Sequence, residues 1–148
     1  MKYLIFCSTL FLIMTSTILS LNLRTEWKNG STLEMNEQLD SQNKKYFAIM
    51  QSDGNFVLYS SGSTNGRGSN FPIWNSKTYG QGQSPYRTVM QTDGNLVVYD
   101  NTNAPLWNSV TYGKGTGPYR LIMQDDGNLV LYDSLNSPLW ASNTMGQN

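Results

Sequence analysis

Apolar and polar positions alternate in short runs over most of the chain, and past the first twenty residues no helical period competes with that alternation. Tyr46 to Met50, Tyr86 to Met90 and Tyr119 to Met123 read as strands. Each is followed, after a brief polar break, by a second: Asn55 to Tyr59, Asn95 to Tyr99 and Asn128 to Tyr132. The breaks carry Asp53-Gly54, Asp93-Gly94 and Asp126-Gly127. Glycine tolerates positive φ and aspartate can bond its own backbone, so each pair predicts a hairpin. Successive side chains of a strand face opposite ways. Phe56 with Leu58, Leu96 with Val98 and Leu129 with Leu131 are therefore expected on the core face, and Asn55, Val57 and Tyr59 with their counterparts on the outer one. A third strand is predicted through Ile73-Trp74, Leu106-Trp107 and Leu139-Trp140, and a fourth through segments such as Ser31 to Leu39.

The pattern repeats. Trp74, Trp107 and Trp140 are spaced by 33 residues, and the match extends through Tyr79 and Tyr112, Pro85 and Pro118, Tyr86 and Tyr119, and Arg87 and Arg120. A period of this size is the mark of a repeat architecture, and the tryptophans are expected to meet near a pseudo-threefold axis. The first copy carries seven extra residues between Tyr59 and Trp74. Rich in Ser, Gly and Asn, Ser60 to Pro72 predicts a lengthened surface loop that alters the first copy's surroundings.

Composition narrows the chemistry. Lys2 followed by the apolar run Leu4 to Met14 reads as a secretory signal over residues 1–20, leaving 21–148 as one domain exported from the cell. The only cysteine, Cys7, lies in that leader, so the mature domain has no disulfide. Losing Lys2 leaves nine basic against ten acidic residues, which gives no electrostatic grip on nucleic acid or anionic lipid. The chain has no histidine, so the commonest general base and transition-metal ligand are missing. Asn29-Gly30-Ser31 is an N-glycosylation sequon, compatible with export.

One polar phrase, Gln-x-Asp-x-Asn-x-Val-x-Tyr, recurs in all three hairpins: Gln51, Asp53, Asn55, Val57 and Tyr59; Gln91, Asp93, Asn95, Val97 and Tyr99; Gln124, Asp126, Asn128, Val130 and Tyr132. A turn by itself requires neither the glutamine nor the tyrosine. A carboxylate, two amides and a phenol beside a small apolar side chain match the vicinal hydroxyls and C–H surface of a sugar, without metal or cofactor. Hydrolysis of a glycoside needs two flanking carboxylates, whereas each copy offers one. Asp125 adds a second only in the third copy and reads as a solvated turn residue. Asp125-Asp126-Gly127-Asn128 also falls short of the ligand count of a calcium loop. Repetition favours binding at up to three equivalent sites over catalysis at one.

The three phrases, with Trp74-Asn75-Ser76, Trp107-Asn108-Ser109 and Trp140-Ala141-Ser142 after them, resemble the bulb-type mannose-binding lectins of monocot plants and their animal, fungal and amoebal relatives. The resemblance runs from about Ser31 to the C-terminus. It implies an all-β, β-prism II fold of three four-stranded antiparallel sheets about a pseudo-threefold axis; a β-trefoil also closes three repeats, but the Asp-Gly-Asn hairpins favour the prism. It further implies calcium-independent binding of terminal mannose on glycans or glycoproteins. In each copy the aspartate and asparagine would hold the axial O2, the glutamine O3 and the tyrosine O4, and the valine would touch the ring carbons. Dimerisation through C-terminal strands is common in such lectins, making a homodimer through Ala141 to Asn148 an option. Two departures stand out: the plant relatives usually carry a disulfide, and Trp27 lies upstream of the threefold pattern.

Overall fold

The computed structural model describes residues 25–64 and 67–147, and the leader with Cys7 lies outside them. Twelve strands, and no helix among the described residues, form three four-stranded antiparallel sheets. The first sheet runs β3(Gln38–Asp40), β4(Tyr46–Met50), β5(Phe56–Thr64), β6(Arg67–Asn75). The second runs β2(Thr32–Glu34), β7(Arg87–Met90), β8(Leu96–Tyr99), β9(Pro105–Asn108), and the third β1(Glu26–Lys28), β10(Arg120–Met123), β11(Leu129–Tyr132), β12(Pro138–Ala141). This is the β-prism II architecture.

Three strands of each sheet come from one repeat, and the fourth comes from the N-terminal segment. That segment visits the sheets in reverse order, β1 pairing with β10, β2 with β7 and β3 with β4. It turns through Gly30 at φ 81° and Asn36 at φ 68°. The fourth strand expected within Ser31 to Leu39 is thus two strands on two sheets. Trp27, expected to fall outside the threefold pattern, belongs to it: it occupies on β1 the place of Leu33 and Leu39 on β2 and β3, and all three are buried. Their spacing of six residues was the available signal, too wide for one alternating strand and set by a turn after each short one.

Phe56, Leu58, Leu96, Val98, Leu129 and Leu131 line the core as alternation requires. At the axis Trp74, Trp107 and Trp140 meet edge to face, with centroids 5.4, 5.4 and 5.6 Å apart. That geometry sets ring edges against ring faces, the arrangement the aromatic quadrupole favours. Neighbouring repeats are stitched at the hairpin glycines. Gly54, Gly94 and Gly127 sit at φ 88°, 89° and 91°, and a methyl group there would come within 2.9, 2.7 and 2.8 Å of Tyr86, Tyr119 and Tyr46. Each tyrosine belongs to the next repeat round the axis, so the turn of one repeat is roofed by the ring of another.

The expected loop over Ser60 to Pro72 is instead an extension of the β5–β6 hairpin, with Ser60 paired to Phe71 and Thr64 to Arg67. The inserted residues continue the ladder because both flanking strands are already in register beside them. Phe71 is 41% exposed on this projection.

Gly94→Ala is expected to cost about 2 kcal/mol or more, since it combines a positive φ with overpacking against Tyr119. A urea midpoint indistinguishable from that of the parent would contradict this account of the turn.

Candidate functional site

Each repeated phrase begins at the end of one strand, crosses the Asp-Gly turn and continues along the next. In the first copy the Gln51 N–H donates to the Asn55 carbonyl at 3.0 Å and the Gly54 N–H to the Gln51 carbonyl at 3.2 Å, closing the turn; the other two copies repeat both bonds. The aspartate Oδ1 accepts from the backbone N–H two residues on, at 2.9 Å in all three. The turn is therefore built by the same carboxylate that sequence reasoning assigned to ligand.

The asparagine is oriented from behind. Ser76, Ser109 and Ser142 donate to the Oδ1 of Asn55, Asn95 and Asn128 at 3.1, 3.1 and 3.0 Å. The backbone N–H groups of Thr78, Thr111 and Thr144 reach the same oxygens at 3.2, 3.1 and 3.3 Å. A backbone N–H can meet only an acceptor, so the amide is turned with its NH2 group away from these partners. The threonine hydroxyls in turn donate to the carbonyls of Gly54, Gly94 and Gly127 at 2.6, 2.7 and 2.6 Å. These serines and threonines are buried, and the threonines were missed in the sequence, although Ser-x-Thr follows every periodic tryptophan.

At the other end of each phrase the glutamine Nε2 donates to the tyrosine hydroxyl, at 2.8 Å for Gln51–Tyr59 and Gln91–Tyr99 and 2.9 Å for Gln124–Tyr132. Among the described residues, no protein group takes up the aspartate Oδ2, the asparagine NH2 or the glutamine Oε1, and the tyrosine proton remains free to donate. Each copy thus holds two acceptors and two donors in reserve. The side chains are partly occupied with one another, yet none is saturated.

Val57, Val97 and Val130 lie on this outer face but are each only 3% exposed, deeper than their expected role beside a ring implies. They sit on the central strands, crowded by partners on both sides, Ile49 and Asn75 in the case of Val57.

The three copies differ in their surroundings. Arg87 lies 5.0 Å over the ring of Tyr99 and Arg120 5.1 Å over Tyr132, whereas in the first copy Phe47 stacks on Tyr59 at 5.2 Å. Arg87 is braced by the Asp100 carbonyl at 3.0 Å and Asn103 Oδ1 at 2.6 Å, and Arg120 by the corresponding Asp133 carbonyl and Asn136. Asp53 and Asp93 are half-buried, while Asp126 is exposed. Asp125 is exposed, as expected of a solvated turn residue, and also accepts from the Asn43 N–H at 2.8 Å, while its carbonyl accepts from the Asn43 side chain at 2.9 Å. It ties the third hairpin to the β3–β4 turn. A hollow of about 240 Å³ between Thr25, Gln42, Ile122, Met123, Gln124 and Asp125 adjoins the third copy. No group of three or more metal-ligating side chains occurs among the described residues.

Asp100 and Asp133, buried directly after the site tyrosines, were not singled out in the sequence. The Thr102 hydroxyl holds the Asp100 carboxyl below its ordinary 3.8, against the opposing effect of burial, and the N–H groups of Ala104, Thr102 and Gln83 add to it. For Asp133 the Ser137 N–H leads, again against burial, followed by Thr116, Leu135 and the Arg120 guanidinium. These carboxylates organise the turns whose carbonyls brace Arg87 and Arg120.

Solved structures share this fold. A monomeric monocot mannose-binding lectin from Gastrodia elata is 35% identical, covering 82% of this chain and 98% of its own, with a TM-score of 0.67. A lectin from Allium sativum is 39% identical over 75% of this chain and 95% of its own, with a TM-score of 0.63. The mannose-specific agglutinin of snowdrop bulbs, solved with methyl-α-D-mannoside, is 38% identical over 81% and 96%, with a TM-score of 0.62. No protein-family model and no curated protein matches the chain.

A carboxyl whose pKa is lowered on folding stabilises the fold above its unfolded value, and that contribution disappears as the pH falls through the folded value. Asp100→Asn is thus expected to lower the urea midpoint near neutral pH and to narrow its gap to the parent as the pH drops below about 4. A gap constant down to about pH 2 would refute this role.

Proposed function

The chain belongs to the bulb-type monocot mannose-binding lectin family, and from that premise we propose that it is a secreted, non-catalytic lectin for terminal α-mannose, with one pocket on each sheet and no calcium requirement. Its structural neighbours are mannose-binding lectins, which supports a lectin function. The observation that carries the finer reading is the asparagine amide, oriented by Ser-x-Thr so that its NH2 group stands free beside an unengaged aspartate oxygen. A hydroxyl placed between them donates to one and accepts from the other. The axial O2 of mannose is such a hydroxyl, while the glutamine and tyrosine serve O3 and O4, and the valine floors the ring.

Selectivity follows from the same donors. A sugar with equatorial O2 leaves the aspartate and asparagine incompletely paired, at a cost of about 1–3 kcal/mol. Because the pockets are shallow and open to water, single-site affinity is modest, and clustered mannose termini gain from several pockets engaging together. Only one motif carboxylate serves each pocket, and Asp125, whose Oδ1 accepts from the Asn43 N–H, adds a second beside the third copy alone. The first and second copies therefore lack the second group that glycoside cleavage needs. The C-terminal tail is bonded within its own chain, Ser142 and Thr144 to Asn128 and Gly127, so strand exchange in a homodimer would have to replace those bonds.

Asp93→Ala combined with Asp126→Ala is expected to remove most retention on a mannan column eluted with free mannose, while the variant keeps a cooperative unfolding transition. Retention equal to that of the parent would show that these are the wrong residues. Passage of the parent straight through the column would favour a fold-only module. Excess chelator is expected to leave retention of the parent unchanged, and its loss would contradict calcium independence.

A further inference from the structure

The fourth strands give each pocket a different neighbour. Opposite the residue that stacks on the site tyrosine, the first sheet places Asp40 across from Phe47, the second Glu34 across from Arg87, and the third Lys28 across from Arg120. Directly opposed residues of antiparallel strands share a face, and like charges so placed repel. Among the described residues neither Lys28 nor Arg120 is within ion-pair distance of a carboxylate. Of the three sheets, only the third sets two cations opposite each other at this position, with the Asp133 carboxylate acting on Arg120 from its other side and Glu26 on the same short strand as Lys28.

That pair borders a hollow. About 300 Å³ of space lies between Glu26, Lys28, Pro118, Tyr119, Arg120 and Ser134. Tyr132, Arg120 and Lys28 form a row across three adjacent strands, which at about 4.8 Å per strand spans roughly 10 Å. With O4 of a mannose at Tyr132, the next carbon round the ring bears C6, whose hydroxyl the motif does not use. Glu26 shares the hollow, so an anion there meets two cations and one carboxylate.

We propose that the third site binds mannose carrying an anionic ester at O6, the sugar ring held by Gln124, Asp126, Asn128 and Tyr132 and the anion by Lys28 and Arg120. This rests on the mannose reading given above. The first site, with Asp40 and Phe47 in the same places, repels such a group, and the second, with Glu34 against Arg87, gains nothing from it. The three pockets thus share one sugar chemistry and differ in the substituents they accept.

The test uses the mature chain with Asp53→Ala and Asp93→Ala, so that the third site reports alone, titrated calorimetrically with methyl α-mannoside, mannose 6-phosphate and inorganic phosphate. Mannose 6-phosphate is expected to bind about threefold to tenfold more tightly than methyl α-mannoside at low salt. The advantage should shrink as salt is added and vanish in Lys28→Gln, which leaves methyl α-mannoside affinity unchanged. Equal affinity for the two sugars, or an advantage that survives Lys28→Gln, overturns the proposal while the mannose reading stands. Inorganic phosphate binding as tightly as mannose 6-phosphate overturns it too, by showing an anion site independent of the sugar. Failure of methyl α-mannoside to bind at all removes the mannose reading and the proposal with it.

Discussion

The hydrogen-bond chain behind each hairpin turn is the constraint on which the rest depends. The asparagine Oδ1 is held by a serine hydroxyl and a threonine N–H, and the threonine hydroxyl closes on the glycine carbonyl of the same turn. These groups are buried, where an unpaired partner costs about 1–3 kcal/mol, so the chain holds as a unit. It does two things together. It satisfies the backbone of a tight turn in the interior, and it turns an amide outward with its NH2 group unspent.

Threefold repetition lets this small device sustain a domain without a disulfide. A single hairpin is marginal in water, and each repeat supplies only three strands of a sheet. The fourth strand of every sheet comes from the N-terminal segment, whose Trp27, Leu33 and Leu39 enter the core from its edge. Together with the meeting of three tryptophans and the tyrosines roofing the neighbouring glycines, this makes no repeat complete without the others. The sites inherit that rigidity because they are built on the turns where repeats interlock.

Within that shared frame the three candidate sites differ in their surroundings. Arginine over tyrosine is braced by a buried aspartate turn in the second and third sheets and replaced by Phe47 in the first. The extended β5–β6 hairpin, the exposed Asp126 and the unequal residues on the fourth strands add to the difference. A lectin built this way can keep one recognition chemistry and vary what flanks it, since rim residues carry little of the fold.

Local information alone determined the three strands of each repeat, the hairpin turns, the buried alternation and the fifteen candidate residues, because Asp-Gly chemistry and period-two patterning act between near neighbours in the chain. The periodic tryptophans likewise announced their axis. Tertiary structure alone decided the rest: which sheet each short N-terminal strand joins, that Trp27 completes the threefold core, that Ser60 to Pro72 prolongs a hairpin, and that Asp125 pairs with Asn43. It also decided that the valines lie deep and that Ser-x-Thr aims the asparagines. All of these join residues distant in sequence, and a contact between distant residues is set by how the sheets close upon one another, which no local pattern encodes.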